Sequence, residues 1–238
     1  MKIVTISDTH NQHRSLTIPD GDMIIHAGDV SGRGSQKEIM DFIDWYSKLP
    51  HEYKILIAGN HDWGFETNGD YYKNICEQNG IIYLNDSGCI VEGIRIWGSP
   101  ITPAFFDWAF NRARSEKSSQ DYYNNFDYGK DPIKDHWDLI PKTTDILITH
   151  GPPYGILDKV NTNGSPNNGM SVGCEILRDK IKEIKPKLHV FGHIHETAGV
   201  YSEDDITYVN ASSLDNKYKM YGKDCVTVNF EKGKVSFE

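Results

Sequence analysis

A series of short apolar runs, most of them followed by a polar residue, constrains the fold of this 238-residue chain more than any other feature. The early runs KIVTIS at 2–7 and DMIIHAG at 22–28, and the later run DILITH at 145–150, are almost continuously apolar. That pattern is typical of strands buried on both faces of a sheet. Because helical patterns separate the early strands and strands dominate late, we predict an α/β fold with a mixed sheet or two packed sheets.

Helical periodicity occupies three segments between these runs, at 35–50, 70–80 and 174–186. The first segment opens with Ser35 and Glu38, which have the spacing of a capping box. We therefore expect helices in all three segments, with a well-defined start to the first.

Two long segments lack a clear periodicity, namely 99–141, which is rich in aromatic residues, and 151–172. Long irregular segments in a compact domain tend to be binding loops. These two segments are therefore candidates for the walls of a ligand site.

Composition restricts the possible partners and the location. The net charge of −9 repels nucleic acid backbones at long range, so we expect no long nucleic acid as partner. The apolar runs are too short for a signal peptide or a membrane span, so we expect no membrane partner. The cysteines are widely spaced, which favours reduced thiols. We expect one domain over 1–238 in the cytoplasm, with the oligomeric state left open.

The polar residues that follow the strands are the main functional signal. Since the carboxyl ends of strands in open α/β sheets form a ligand crevice, these side chains should meet there. Each residue alone could be a turn residue or a satisfied core histidine. The joint pattern predicts a metal site, whereas His26 and His189 lie inside strands and are expected to be structural. The residues at the strand ends are Asp8, His10, Asp29, Asn60, His61, Asp62, His150, His193 and His195.

Five motifs in these positions resemble the calcineurin-like metallophosphoesterase superfamily. They read D-x-H at 8–10, G-D at 28–29, G-N-H-D at 59–62, H-G at 150–151 and G-H-x-H at 192–195. The stretches GSPITPAFFDWAFNRAR, DILITHGPPYGILD and PKLHVFGHIHE are similar to the metallophosphoesterase-domain-containing (MPPED) group. This resemblance implies a four-layer α/β sandwich of two mixed β-sheets flanked by helices, and a metal-dependent phosphoesterase.

The resemblance also implies a role for each motif residue. One set would hold a first metal ion, a second set would hold another, and Asp29 would bridge them. His61 is not expected to bind metal, and Asp62 would orient it. The first set is Asp8, His10 and His195, and the second is Asn60, His150 and His193.

The ligand chemistry indicates which ions and which reaction fit. Mixed imidazole, carboxylate and amide ligands suit Mn, Fe, Zn or Ni rather than calcium. Among these we expect Mn²⁺ first, with Fe, Zn or Ni as alternatives. Two divalent ions bring four positive charges and Asp8 with Asp29 return two negative ones, which leaves +2 to attract a phosphate diester. We expect in-line attack by a metal-bridging hydroxide, with stabilisation of charge on the phosphoryl oxygens.

His61 is the candidate general acid, because imidazole titrates near neutral pH and an alkoxide leaving group needs a proton. The alternative is a structural histidine behind the ligands. Arg33 has the spacing from Asp29 found in the protein phosphatases of the superfamily and would grip a phosphate, unless it is a solvated loop residue. Phe106 and Trp108 would stack on a nucleobase, or else belong to a hydrophobic plug over the sheet.

Together these observations predict a dinuclear-metal-dependent phosphodiesterase for small phosphodiesters such as cyclic nucleotides. The alternatives are a phosphomonoesterase or protein phosphatase, a nuclease, and a weakly catalytic nucleotide-binding protein. A nuclease on long DNA would need a basic groove, which the sequence does not suggest.

Overall fold

The computed structural model describes residues 1–114, 132–161, 168–221 and 225–237. Its strands are β1 (Lys2–Ile6), β2 (Met23–Ala27), β3 (Tyr53–Ile57), β4 (Ile81–Tyr83), β5 (Ser87–Val91), β6 (Ile94–Ser99), β7 (Thr102–Pro103), β8 (Asn111–Arg112), β9 (Ile146–Thr149), β10 (Leu188–Phe191), β11 (Gly199–Glu203), β12 (Ile206–Asn210), β13 (Val226–Glu231) and β14 (Lys234–Phe237). Its helices are α1 (Gln36–Ser47), α2 (Trp63–Thr67), α3 (Gly69–Gln78), α4 (Ile133–Asp138) and α5 (Glu175–Ile184). None of the helices described is both long and apolar enough to cross a membrane.

The first of two six-stranded sheets has the strand order β14-β13-β1-β2-β3-β4. Strands β1 to β4 are parallel, with Met23 of β2 aligned with Ile3 of β1 and with Tyr53 of β3. The closing hairpin of β13 and β14 adds to β1 in the antiparallel sense. The carboxyl ends of β1, β2 and β3 therefore lie at one edge of the sheet.

The second six-stranded sheet has the order β11-β12-β10-β9-β6-β5. Its four inner strands are parallel, and β11 and β5 close its two edges in the antiparallel sense. An isolated parallel bridge between Ser7 and Ser212 joins the chain beyond β1 to the chain beyond β12. This bridge connects the two sheets where their parallel strands end.

The two sheets pack face to face through an apolar layer to which both contribute. Ile25 and Ile55 of the first sheet and Ile148 and Val190 of the second belong to this layer, and all four are fully buried. Alternate residues of the same strands point outward and pack against the helices, as the two-residue period of a strand requires. The predicted four-layer α/β sandwich of two mixed sheets flanked by helices is confirmed.

Local sequence signals explain where the first helix begins and how it is attached. Ser35 and Glu38 form the predicted capping box, with the Ser35 N–H donating to the Glu38 carboxylate at 2.9 Å. The hydroxyl of Tyr46 donates to the carbonyls of Ile24 and Ile55, at 3.1 and 2.8 Å. Helix α1 is therefore fixed to β2 and β3 by hydrogen bonds as well as by its apolar face.

Some elements differ from the sequence-based expectation. The apolar run CIVEGIRIWG at 89–98, whose pattern predicts one strand, forms two strands instead, because Glu92 and Gly93 have φ values of 48° and 78° and turn the chain between β5 and β6. The irregular segment 99–141 contains β7, β8 and α4, and its residues 115–131 lie outside the described part. These elements are too short for a periodic pattern to reveal them.

The two strand histidines are structural, as predicted. His26 and His189 are fully buried, and each has Nε2 near a threonine hydroxyl, that of Thr9 at 3.0 Å and that of Thr149 at 2.8 Å. Burial lowers the pKa of both imidazoles to about 3. Both rings are therefore neutral in the folded protein, whereas they bind a proton readily after unfolding.

We predict that acid destabilises the metal-free protein through these histidines. Because the folded pKa of His189 lies below the unfolded value, its contribution is present above about pH 6.5 and is lost as the pH falls toward 3. As the pH falls from 7.5 to 5.5, proton uptake by His189 on unfolding should lower the unfolding free energy by about 1.4 kcal/mol. Urea unfolding with a chelator present, on the wild type and His189→Gln, measures this difference.

The control for this measurement is Thr149→Val, which removes a hydrogen bond of His189 but keeps its imidazole. This variant should be less stable at both pH values and keep the wild-type pH dependence. An equally steep pH dependence in His189→Gln would show that His189 does not take up a proton on unfolding.

Candidate metal centre

The edge where the parallel strands end brings the predicted ligands together. Asp8 follows β1, Asp29 follows β2 and Asn60 follows β3. From the second sheet, His150 follows β9 directly and His193 comes two residues after β10. The expected convergence of distant segments is therefore present in the fold.

Three overlapping groups of side chains offer ligand atoms that lie within 4.8 Å of one another. Asp29 is central, because its Oδ2 lies 3.3 Å from Nε2 of His150 and 3.6 Å from Nε2 of His10. The amide oxygen of Asn60 lies 2.9 Å from Nε2 of His150. The groups are Asp8, His10 and His195; His10, Asp29 and His61; and Asp29, His150 and His193.

Backbone carbonyls fix the orientation of three of the histidine rings. In each ring Nδ1 contacts a carbonyl oxygen, so that this nitrogen carries the proton and Nε2 presents its lone pair to the cluster when the ring is neutral. Histidines that bind metal have this second contact in most proteins. The contacts are His10 to Ser31 at 3.1 Å, His150 to Ala27 at 2.9 Å and His195 to Asp215 at 3.0 Å.

The two central carboxylates are buried and hydrogen bonded. Asp8 accepts hydrogen bonds from the N–H of His193 at 3.0 Å and from the hydroxyl of Ser212 at 2.7 Å. Asp29 accepts one from the N–H of His61 at 2.8 Å. These donors hold the carboxylates in place and leave their remaining lone pairs directed at the histidines.

The charges of the metal-free site compensate one another. Burial would raise the pKa values of Asp8 and Asp29, but the neighbouring histidines lower both below the usual range. Burial would lower the pKa values of His150 and His195, but the carboxylates raise both to about 9. In contrast, burial and the charge of His150 lower the pKa of His193 to about 3. The carboxylates of Asp8 and Asp29 thus pair with the protonated rings of His150 and His195. A divalent cation fits at the positions of the protons on these rings.

Backbone geometry at this edge is unusual for strand ends. Asp8, Asp29 and His193 have left-handed conformations, with φ values of 53°, 57° and 70°. A Cβ at Gly192 would lie less than 3.0 Å from the Asp8 carboxylate, and one at Gly59 would lie equally close to Asp29. The chain therefore turns sharply after each strand and passes close to the carboxylates, which only glycine permits at those two positions.

His61 lies against the cluster and is held by a contact that we did not expect. Its Nδ1 is 2.8 Å from the carbonyl oxygen of Gly32, and its ring stacks on that of Trp108 with centroids 4.2 Å apart. Its Nε2 faces Asp29 Oδ2 at 4.0 Å. The ring is partly buried, with 15% of the side chain exposed, so that a substrate can reach it.

The expectation that Asp62 orients His61 stays a prediction, because the hydrogen bonds of the Asp62 carboxylate go to groups other than the His61 ring. Asp62 is fully buried, and its carboxylate accepts hydrogen bonds from the Ser31 hydroxyl and from the N–H groups of Val30, Ser31 and Gly59. Burial and the charge of Asp29 raise the pKa of Asp62 to about 6. Short loops leave backbone N–H groups without partners, and such groups need a buried acceptor. By accepting these hydrogen bonds, Asp62 connects the loop after β2 to the loop after β3.

The three predicted substrate contacts have different environments. Trp108 lies at the cluster through its stack on His61. Arg33 is exposed and directly follows Gly32, the residue that holds His61. Phe106 is 47% exposed and packs edge-on against Phe105. Among the contacts of the described residues, the ring of Trp108 stacks on a motif histidine, His61.

Sequence reasoning missed two residues of this site. Ser212 hydrogen bonds to Asp8, and it lies in the stretch VNASS, whose position after β12 is the only sequence signal for it. The ring of Tyr218 lies 4.9 Å from that of His10 and 5.5 Å from that of His195. Tyr218 belongs to a turn without periodicity, so that no pattern indicated it.

Comparison with known proteins agrees with this geometry. A family model described as calcineurin-like phosphoesterase matches residues 1–197. Metallophosphoesterase domain-containing protein 1 of Homo sapiens is 38% identical over 240 residues, which cover 92% of this chain and 68% of that protein. The UPF0046 protein K07C11.7 of Caenorhabditis elegans is 34% identical over 227 residues, which cover 90% of this chain and 70% of that protein.

The fold also has a counterpart among solved structures. The crystal structure of TT1561 of Thermus thermophilus superimposes with a TM-score of 0.61, covering 100% of this chain and 97% of that one. At 14% sequence identity, this likeness concerns the fold alone. From the family match, the identity to its relatives and the candidate ligand clusters, the chain belongs to the calcineurin-like phosphoesterase family and is a metal-dependent phosphoesterase.

Proposed function

We propose that this protein is a dinuclear-metal-dependent phosphodiesterase that hydrolyses small phosphodiesters such as cyclic nucleotides. The observation that supports this proposal best is the central position of Asp29 between two groups of potential ligands. A carboxylate shared by two such groups is suited to bridge two cations, which is the arrangement used for displacement at phosphorus.

We infer the following ligand sets from these contacts. Both sets combine imidazole nitrogen with carboxylate or amide oxygen, which favours Mn²⁺ and also suits Fe, Zn or Ni. When bound, the two ions would activate a water molecule and stabilise charge on the phosphoryl oxygens. Asp8, His10 and His195 would hold one ion, Asn60, His150 and His193 the other, and Asp29 both.

Local charge makes the loaded site attractive to a phosphate ester. Two divalent cations contribute +4, and Asp8 with Asp29 contribute −2, which leaves +2 in a chain of net charge −9. Because this positive charge is surrounded by buried protein, it acts on a bound anion with little screening. The acidic surface elsewhere disfavours long polyanions and supports our expectation of small substrates.

We assign the proton transfer to His61. Its Nδ1–H donates to the Gly32 carbonyl, so Nε2 is the atom that faces the cluster. The stack with Trp108 covers one face of the ring, limits its rotation and keeps water from that side. When protonated, Nε2 would donate its proton to the leaving alkoxide.

We also propose three residues that would contact the substrate. The exposed Arg33 is available as a bidentate donor to a phosphate, and the half-exposed ring of Phe106 offers a stacking surface. Trp108 would hold the His61 ring and present its remaining surface to the substrate.

We propose in addition that residues 1–238 act as one domain, because one apolar layer joins the two sheets. We also propose a reducing cytoplasmic location. The wide spacing of the four cysteines, with no C-x-x-C pair, supports a reducing compartment.

A substrate panel tests the proposed reaction. With added Mn²⁺, we expect turnover of 2′,3′-cyclic and 3′,5′-cyclic nucleotides and of bis(p-nitrophenyl) phosphate to exceed that of matched phosphomonoesters. Asp29→Asn should remove this activity together with the bound ions, because it weakens both ligand sets. Faster hydrolysis of monoesters than of every diester would favour a phosphomonoesterase instead.

Metal binding should depend on pH. Since the pKa values of His150 and His195 are about 9, both rings hold a proton at neutral pH and must release it to bind a cation. Binding at each of the two sites releases one proton, so the affinity of each site for Mn²⁺ should rise about tenfold for each pH unit between 6.5 and 8.5. Calorimetric titration in buffers of different ionisation enthalpy measures the released protons, and an affinity independent of pH would contradict these ligand roles.

Replacement of His61 should affect substrates according to their leaving group. We expect His61→Ala to reduce turnover of diesters with alkoxide leaving groups by about 100-fold or more, but that of p-nitrophenyl esters by less than about tenfold. His51→Gln is a matched control. His51 precedes β3 and contacts the Pro19 carbonyl, so it lies at the other end of that strand from His61. Equal losses on both kinds of ester would contradict the acid role.

A further inference from the structure

Tyr218 lies beside the candidate metal centre although no sequence motif includes it. Its ring makes edge-on contacts with His10 and His195, at centroid distances of 4.9 and 5.5 Å. Nonetheless, 49% of the residue is exposed. One part of this ring therefore lies against two proposed ligands, and another part faces solvent.

A tight turn holds Tyr218 in this position. The Asp215 carboxylate accepts hydrogen bonds from the N–H groups of Lys217 and Lys219, at 2.8 and 2.9 Å, and its carbonyl accepts one from Tyr218 at 2.9 Å. The side-chain amide of Gln12 donates to the Tyr218 carbonyl at 2.9 Å. The backbone that carries the ring is thus held in place, so little backbone freedom is lost when a ligand stacks on Tyr218.

The backbone of Tyr218 is also unusual. Its φ is 57°, in the left-handed region that a bulky residue seldom occupies. Such a conformation costs on the order of 1 kcal/mol or more and persists only where the surroundings impose it. Hydrogen bonds of the Asp215 turn flank Tyr218 on both sides in sequence, and its phenol ring lies at the site.

Aromatic contacts connect this residue to the candidate general acid. Trp108 stacks on His61, His61 contacts His10 edge-on at 4.6 Å, and His10 contacts Tyr218. Tyr218 and His195, which also contact each other, both contact His10 in this group of rings. The ring of His61 stacks on that of Trp108, whereas the contacts of Tyr218 with His10 and His195 are T-shaped and the residue is half exposed. Within the described part of the chain no ring stacks on Tyr218, so its exposed part can receive a flat ligand.

Resting on the proposed function, we propose that Tyr218 determines specificity by stacking on an aromatic ring in the ester group of the substrate. A nucleobase or an aryl group would lie on its exposed face while the phosphate lies at the metal centre. Because stacking recognises a flat ring rather than its substituents, Tyr218 favours aromatic esters over alkyl esters without selecting one base.

Binding measurements test this role independently of turnover. Tyr218→Leu removes the ring but keeps apolar bulk, and Tyr218→Phe keeps the ring without the hydroxyl. Tyr201→Leu, at a 43% exposed tyrosine of β11, is the matched control. Each protein is loaded with Mn²⁺ and titrated calorimetrically with AMP and with inorganic phosphate, and its Mn²⁺ stoichiometry is measured.

Tyr218→Leu should raise the Kd for AMP about tenfold, the effect of one lost stack, and change that for inorganic phosphate by less than about twofold. Tyr218→Phe and Tyr201→Leu should stay within about twofold of the wild type for both ligands. The inference is overturned if Tyr218→Phe loses as much as Tyr218→Leu, if phosphate affinity falls in parallel, if neither ligand responds, or if the wild type does not bind AMP.

Kinetics then separate this inference from the proposed function. With bis(p-nitrophenyl) phosphate and with an alkyl diester, Tyr218→Leu should raise KM selectively for the aryl substrate and leave kcat within a fewfold. If the wild type hydrolyses no phosphoester, the proposed function fails, and the AMP and phosphate titrations still decide whether Tyr218 is a stacking residue.

Discussion

Two buried carboxylates, those of Asp8 and Asp29, are the constraint on which the site and the junction of the two sheets depend. They are 0% and 2% exposed, and an unpaired buried carboxylate costs several kcal/mol. Donors from distant segments offset this cost: the His193 N–H and the Ser212 hydroxyl on Asp8, and the His61 N–H on Asp29. The donors to Asp8, and the His150 ring that lies 3.3 Å from Asp29, come from the second sheet, so both carboxylates gain partners when the sheets are assembled.

The hydrogen bonds to these carboxylates require backbone conformations that a regular strand does not have. The left-handed conformations of Asp8, Asp29 and His193 direct the chain across the strand ends, and Asp and His adopt this region more readily than most residues do. The missing side chain of Gly192 leaves space for the Asp8 carboxylate. Residue types at these positions therefore serve the turn and the ligand cluster at once, which explains why short motifs carry so much information here.

Features that follow from local pattern could be predicted from the sequence. The buried strands have continuous apolar runs, the first helix has its capping box at Ser35 and Glu38, and the polar strand ends mark the site. Features that depend on the path of loops could not. Asp62 meets N–H groups of another loop, Tyr218 lies in an aperiodic turn, and α2 is only five residues long. The ligand roles themselves stay predictions.

In the metal-free protein, protons occupy the positions that cations would take. His150 and His195, with pKa values of about 9 set by the carboxylates against the effect of burial, are charged at neutral pH. Their Nδ1 atoms already contact the carbonyls of Ala27 and Asp215, so that exchange of a proton on Nε2 for a cation needs no rotation of either ring. Burial, with the charge of His150, keeps His193 neutral. With the ligand roles that we propose, cation affinity would be governed by competition with protons rather than by reorganisation of the rings.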